Sequence, residues 1–269
     1  MAMRQVFRPM LVALLFSGTL GIPLCPAAQI HAMRVPLLMS EELDEHGAVI
    51  PLAPEILRLL HYLEHATHLR FDIHRYPWKR ALETSVNGEG VIFGISKTSE
   101  RLRELTFSEP VYKDQTFLIS LCESRFDYHT VTDLKGKTIG IVRGTSYGEE
   151  FDRLSHTLFQ VEDDTSNNPG RFMKLLQHRM DAFLLYSPTL NTGKLQSSIN
   201  QRYAGLSGKN SEEAIFCVSP HAVSAVDIHF AARHGLYHDV LQKINRAVLH
   251  ARHNGDLMRI FSPDTQLPE

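Results

Sequence analysis

The chain has little cysteine, one tryptophan and almost no net charge. Three cysteines among 269 residues exclude a disulfide-dense miniprotein. A balance of 28 Lys and Arg against 30 Asp and Glu argues against a nucleic-acid partner. Glycine and proline are too few, and too scattered, for a collagen-like or low-complexity chain. No P-loop and no Gly-x-Ser-x-Gly elbow occurs, so neither a nucleotide hydrolase nor a serine hydrolase has a motif to stand on. What remains is an ordinary globular composition with 43% hydrophobic and 22% charged residues, one large domain or two small ones.

The longest apolar run stands near the start. Met1 to Ala32 reads as a secretory signal: Arg4 and Arg8 precede the apolar stretch Met10–Ile22, and small residues follow. That stretch is shorter than the about 20 residues that span a bilayer. Cleavage fits after Ala28 or after Ala32. Cys25 follows Ile22-Pro23-Leu24, the wrong context for lipidation, which wants a small residue before the cysteine. The mature chain then keeps Cys122 and Cys217, each in an apolar run. They either pair in an oxidising compartment or stay as two separate buried thiols.

From Met33 onward, short apolar runs alternate with amphipathic stretches. Strands are expected at 34–39, 69–75, 91–95, 116–121, 138–142, 158–162, 182–186, 214–219 and 228–231. Helices are expected at 54–66, 78–86, 144–157, 169–178, 236–253 and 256–261. Such alternation predicts an α/β fold with largely parallel sheets. The polar segment Asn191 to Asn210 reads as a surface excursion. His61 and His65 stand four apart but off the apolar stripe of their helix, so they read as a solvated face, and no metal or other cofactor is expected.

Two segments can carry chemistry. In Gly94-Ile-Ser96-Lys-Thr-Ser-Glu-Arg101, a strand ends in small polar residues and an arginine follows. Loops after strand ends hold ligands in open α/β sheets, and a guanidinium grips a carboxylate bidentately. Gly94 allows close backbone approach and Ser96 adds a hydroxyl. The alternative is a surface arginine on a first helical turn. In the second segment, Gly144-Thr145-Ser146 follows a strand and is expected to open a helix, whose N–H groups would form an anion site or a simple cap.

Thr98-x-x-Arg101 followed by Phe107-Ser-Glu-Pro110 resembles the signature of bacterial solute-binding protein family 3, the periplasmic receptors of polar amino-acid ABC transporters. Asp133-Leu-Lys-Gly-Lys137, Gly144-Thr145, Trp78-Lys-Arg-Ala-Leu with Gly88, and Arg179-Met-Asp-Ala182 resemble the same family in the same order. The resemblance implies the two-lobed periplasmic-binding-protein fold (type II), with two hinge-crossing strands at Thr116–Leu121 and Ile228–Ala231. It implies a first lobe over 33–119 plus 228–269 and a second over 120–227, behind the signal at 1–32. Arg101 would grip the solute carboxylate with Ser96, Gly94, Thr145 and Ser146; Trp78 would pack at the cleft or stack on the solute.

Three positions depart from the family pattern. Tyr186 stands where an acid would meet an α-ammonium, and a phenol carries no counter-charge at neutral pH. Ser40-Glu-Glu-Leu-Asp44 replaces an aromatic loop, so Glu41 or Glu42 could supply the missing charge. Gly90 replaces an Asp. The implied function is a monomeric periplasmic receptor, not an enzyme, that captures a small carboxylate-bearing, amino-acid-like solute for an ABC-type permease. The alternatives are a ligand-sensing subunit for a membrane sensor and a cyclohexadienyl-dehydratase-like enzyme on the same fold.

Overall fold

β1 (Met33–Ser40), a buried apolar strand, opens the computed structural model, which describes residues 33–44, 46–164, 168–187, 191–208 and 213–261. The secretion signal read at 1–32 lies outside the described residues. α1 (Pro54–Thr67) follows with Pro at its first turn, where a missing N–H costs nothing. Then come β2 (Leu69–Tyr76), α2 (Trp78–Val86), β3 (Val91–Ile95), the single turn α3 (Arg101–Glu104) and β4 (Leu105–Phe107). β1 lies between β2 and β3 and runs parallel to both. Near the other end of the described chain, α7 (His238–His253) and α8 (Asp256–Ile260) return to cover this first sheet after a run of intervening elements.

Those are β5 (Tyr112–Leu121), β6 (Thr138–Val142), α4 (Glu149–Leu154), β7 (Gln160–Asp164), α5 (Asn168–Leu176), β8 (Ala182–Ser187), α6 (Thr192–Tyr203), β9 (Phe216–Val218) and β10 (Ser224–Arg233). The strand path is β2-β1-β3-β10-β5-β8-β6-β7, with β4 on β10 and β9 on β5. Separate apolar cores serve the two halves. One joins Leu59, Leu63, Phe93, Phe230, Ile244 and Val248 under α1 and α7. Others gather Tyr147, Phe151 and Phe159, and Phe172, Phe183 and Phe216. Each such buried side chain contributes roughly 1.5–3 kcal/mol of transfer free energy.

β5 and β10 join the halves. They pair antiparallel from Tyr112↔Ile228 to Thr116↔Ser224. β5 then runs on beside β8 and β9, while β10 runs on beside β3 and β4. This is the α/β, two-lobed, type II periplasmic-binding-protein fold with two crossing strands. Both crossings begin earlier than the apolar runs suggested, at Tyr112 and Ser224. Lys113-Asp114-Gln115 and Ser224 to Asp227 are too polar to read as strand.

Two further expectations are corrected. The segment Asn191 to Asn210 is not a mere surface excursion. Its described part forms α6 and a 3-10 turn, capped by the Asn191 side chain accepting from the Lys194 N–H at 2.9 Å. Leu195, Ile199 and Tyr203 stand four apart and pack on the Phe172 core. The helix expected from Gly144 starts instead at Glu149. Gly144 (φ 76°) and Gly148 (φ 105°) hold the intervening loop out of helical geometry, and buried Tyr147 pins it by accepting the Val142 N–H at 3.0 Å. The true first turn carries Glu149, Glu150 and Asp152, which suit the helix dipole themselves.

Candidate functional site

A cavity of ≈ 470 Å³ opens where the two halves face each other across β5 and β10. That volume suits a small molecule. The site begins with a bulge in β3. Ile95 opposes His229, Phe93 opposes Phe230, and Gly94 is the extra residue between them at φ 91°. Bulges take a glycine in this conformation and turn the strand out of its ladder. A Cβ on Gly94 would meet nothing within 4 Å, so the backbone borders open space.

Past the bulge the chain folds back on itself. The Thr98 hydroxyl accepts the Arg101 N–H at 3.1 Å and starts α3. The Arg101 guanidinium is thereby turned inward and is 8% exposed. Its Nη1 donates to the Ser96 carbonyl at 2.9 Å and the Ser96 hydroxyl at 3.1 Å; its Nη2 donates to the Gly144 carbonyl at 3.2 Å. Those bonds leave the Nε–H and one Nη2–H for another acceptor, the pair of donors that a carboxylate bridges. Burial lowers the affinity of Arg101 for its proton, and Tyr186, Asp152 and Glu100 act in the opposite direction. An arginine stays cationic under such pressure.

The Gly144 carbonyl is the shared point of the closed cleft. The Trp78 indole N–H donates to it at 3.0 Å, and the Arg101 guanidinium carbon lies 5.7 Å from the Trp78 ring centre. A Cβ on Gly144 would stand 3.2 Å from Lys79 Cβ, so α2 and this loop are in close contact. Two more bonds cross the cleft: Ser99 hydroxyl to Glu149 at 2.9 Å, and Asn168 amide to Glu42 at 2.6 Å.

Seven of the eight residues singled out from the sequence line one cavity: Glu41, Trp78, Gly94, Ser96, Arg101, Thr145 and Tyr186. Ser146 stands apart. Its hydroxyl donates to Asp152, and it borders the outer cleft beside α4. Its backbone carbonyl still takes part, accepting the Tyr186 hydroxyl at 3.1 Å. Burial raises the Tyr186 pKa well above 10, helped by Tyr147 and Asp114 and opposed by Arg101. Tyr186 is therefore a neutral donor.

Sequence reading missed Asp114, Arg75, Arg171 and the α6 side of the cavity. Arg75 binds the Ser40 and Ile50 carbonyls and faces the charges of Glu42 and Glu41. Arg171 is 2% exposed and reaches the Leu184 carbonyl and Asn168. Asp114 was legible in principle: Tyr112, Asp114 and Thr116 share one strand face by their period of two.

The Asp114 carboxylate accepts one hydrogen bond, from the Gln115 N–H at 3.1 Å. Burial pushes its pKa up to about 7, only partly offset by that N–H. A carboxyl whose folded pKa is raised stabilises the fold below its unfolded pKa and loses that contribution as pH rises to the folded value. Ionised Asp114 is thus a cost above about pH 7, of the order of 2–4 kcal/mol. Asp114→Asn is expected to melt several degrees above the parent protein at pH 8 without solute, the gap closing towards pH 4. Parallel melting profiles at both pH values would show that this carboxyl is solvated.

No family model matches the chain. Over 93 residues it is 30% identical to the ABC transporter arginine-binding protein 1 of Escherichia coli (strain K12), covering 35% of this chain and 36% of that protein. The chain thus aligns with about a third of that curated relative's length. Solved structures match far more of it. An ancestral arginine-binding protein bound to arginine superposes with a TM-score of 0.66 at 18% identity, covering 86% of this chain and 97% of the other. A variant of the arginine-binding protein of T. maritima gives 0.65 at 18%, covering 84% and 93%. The amino-acid ABC transporter substrate-binding protein AbpA of Streptococcus pneumoniae, bound to L-arginine, gives 0.62 at 14%, covering 84% and 92%. These likenesses establish the fold of amino-acid-binding components of ABC transporters, the kind of protein that the ordered motifs resemble.

Proposed function

We propose that this chain is a periplasmic solute-binding protein that captures a small carboxylate-bearing, amino-acid-like solute between two lobes, over 33–119 with 228–269 and over 120–227. The observation that carries this reading is Arg101. It is a buried cation held by Ser96 on one side of the cleft and by Gly144 on the other, with two donors left for a carboxylate. Arg101, Trp78 and the Gly144 loop meet at one place across the cleft, so a solute bound there would favour the form in which the two sides are together. Relatives that serve ABC transporters support a permease as the partner, and the chain acts as a receptor, not an enzyme.

A secreted location fits the signal read at 1–32 and is supported by the disulfide between Cys122 and Cys217, with Cα atoms 4.9 Å apart. The test is a thermal-shift screen of the purified protein against the twenty amino acids and a set of organic acids. Arginine belongs in that panel because the relatives above are named for it. At least one carboxylate should raise the melting temperature in the parent protein and not in Arg101→Ala. A panel with no shift, or equal shifts in both proteins, would overturn the reading.

A further inference from the structure

Within the cavity, Asp114 is the acid whose charge nothing answers. Glu41 and Glu42 both lie in the field of Arg75, and Glu42 also accepts from Asn168. Asp114 sits on the crossing strand β5, faces the cavity and holds one backbone N–H. It makes no ion pair with a described basic residue. An acid in such a place is costly to keep charged unless a cation arrives. Tyr186 feels the charges of both Arg101 and Asp114, so its phenol lies within electrostatic reach of the carboxylate grip and of this acid.

We propose that Asp114 is the counter-charge for the solute's α-ammonium group, so that the cavity takes α-amino acids in preference to plain carboxylates. The proposal rests on the carboxylate-binding reading of the same cavity. It supplies the negative charge that Tyr186 cannot. The raised proton affinity of Asp114 accords with it: an ammonium would hold the carboxyl ionised, where the empty pocket favours the neutral acid.

The test compares each amino acid that shifts the parent protein with its des-amino analogue, glutarate against L-glutamate and 5-guanidinopentanoate against L-arginine among them. Calorimetric titrations are run on the parent protein, Asp114→Asn, Glu41→Gln and Arg101→Ala. The parent protein should prefer the amino acid by about 100-fold, the scale for a buried charge pair. In Asp114→Asn that preference should fall to a few-fold with the des-amino analogue bound as before, while Glu41→Gln keeps it. Asparagine is isosteric, and the comparison on the parent protein stands even if the variant fails to fold. Equal affinity for the two compounds overturns the proposal and leaves the carboxylate reading intact. So does a preference that survives in Asp114→Asn or vanishes in Glu41→Gln. Turnover of prephenate or arogenate that Asp114→Asn abolishes also overturns it, by making Asp114 a proton donor. Loss of all binding in Arg101→Ala together with a flat response of Asp114→Asn to both compounds would assign Asp114 to general cavity structure and likewise contradict it.

Discussion

Arg101→Ala is expected to weaken solute binding at least about 100-fold. Truncating one partner of a buried, hydrogen-bonded charge pair costs about 2–5 kcal/mol, and each 1.4 kcal/mol is tenfold. Thermal protection follows from mass action. A solute at 1,000 times its dissociation constant stabilises by about 4 kcal/mol, and a 100-fold weaker one at the same concentration by about 1.4 kcal/mol. For a protein of this size that is a loss of roughly 5–10 °C of shift. Arg101 also holds Ser96 and Gly144, so the empty variant should melt lower as well. Arg101→Lys separates charge from shape. A point charge cannot make the forked contact, so binding should remain well below that of the parent protein. Full recovery with lysine would mean that the site uses only the charge.

Cys122→Ser with Cys217→Ser is expected to destabilise the protein by about 4–5 kcal/mol. The bridge joins residues 95 apart in sequence, and closing a loop of that length removes about this much entropy from the unfolded chain. Cys122 follows β5 and Cys217 lies on β9, whose register sets it opposite Ser120. The loop between them holds β6, β7 and β8 with α4, α5 and α6, so the bridge fastens the start of the second half to its end. Denaturant unfolding with and without reductant measures the effect. A lower midpoint in the double variant, matched by the reduced parent protein, is the expected outcome. Identical midpoints would show that the loop is already constrained in the unfolded chain.

Apolar periodicity located most of this fold. α2, β3 and β6 fall where the runs of Trp78–Val86, Val91–Ile95 and Thr138–Val142 place them. Buried strands announce themselves as short apolar runs bounded by turn residues. The elements that were misjudged are the ones that face the cavity. α6 hides its stripe of Leu195, Ile199 and Tyr203 among serine, glutamine and lysine. β5 begins in polar residues where Asp114 borders the cleft, and β10 begins with Ala225 and Asp227 exposed. Asp114 was lost for that reason. Gly-Thr-Ser at 144–146 reads as a helix cap, while the positive-φ backbone at Gly144 and Gly148 is not visible in composition. Arg101, by contrast, was legible because a strand end, a glycine and a hydroxyl precede it in one short segment.

That Arg101 holds the solute's carboxylate is open to a direct test. The most direct measurement is a calorimetric titration of the parent protein with the amino acid that protects it best, set against the methyl ester of that amino acid. With the titration run at about pH 6, where the ester's amine stays protonated, the ester keeps the ammonium and the side chain and replaces the charged carboxylate with a neutral, slightly larger group. One equivalent of the free acid should bind, with the ester at least about 100-fold weaker. Equal binding of acid and ester would show that Arg101 does not hold the carboxylate.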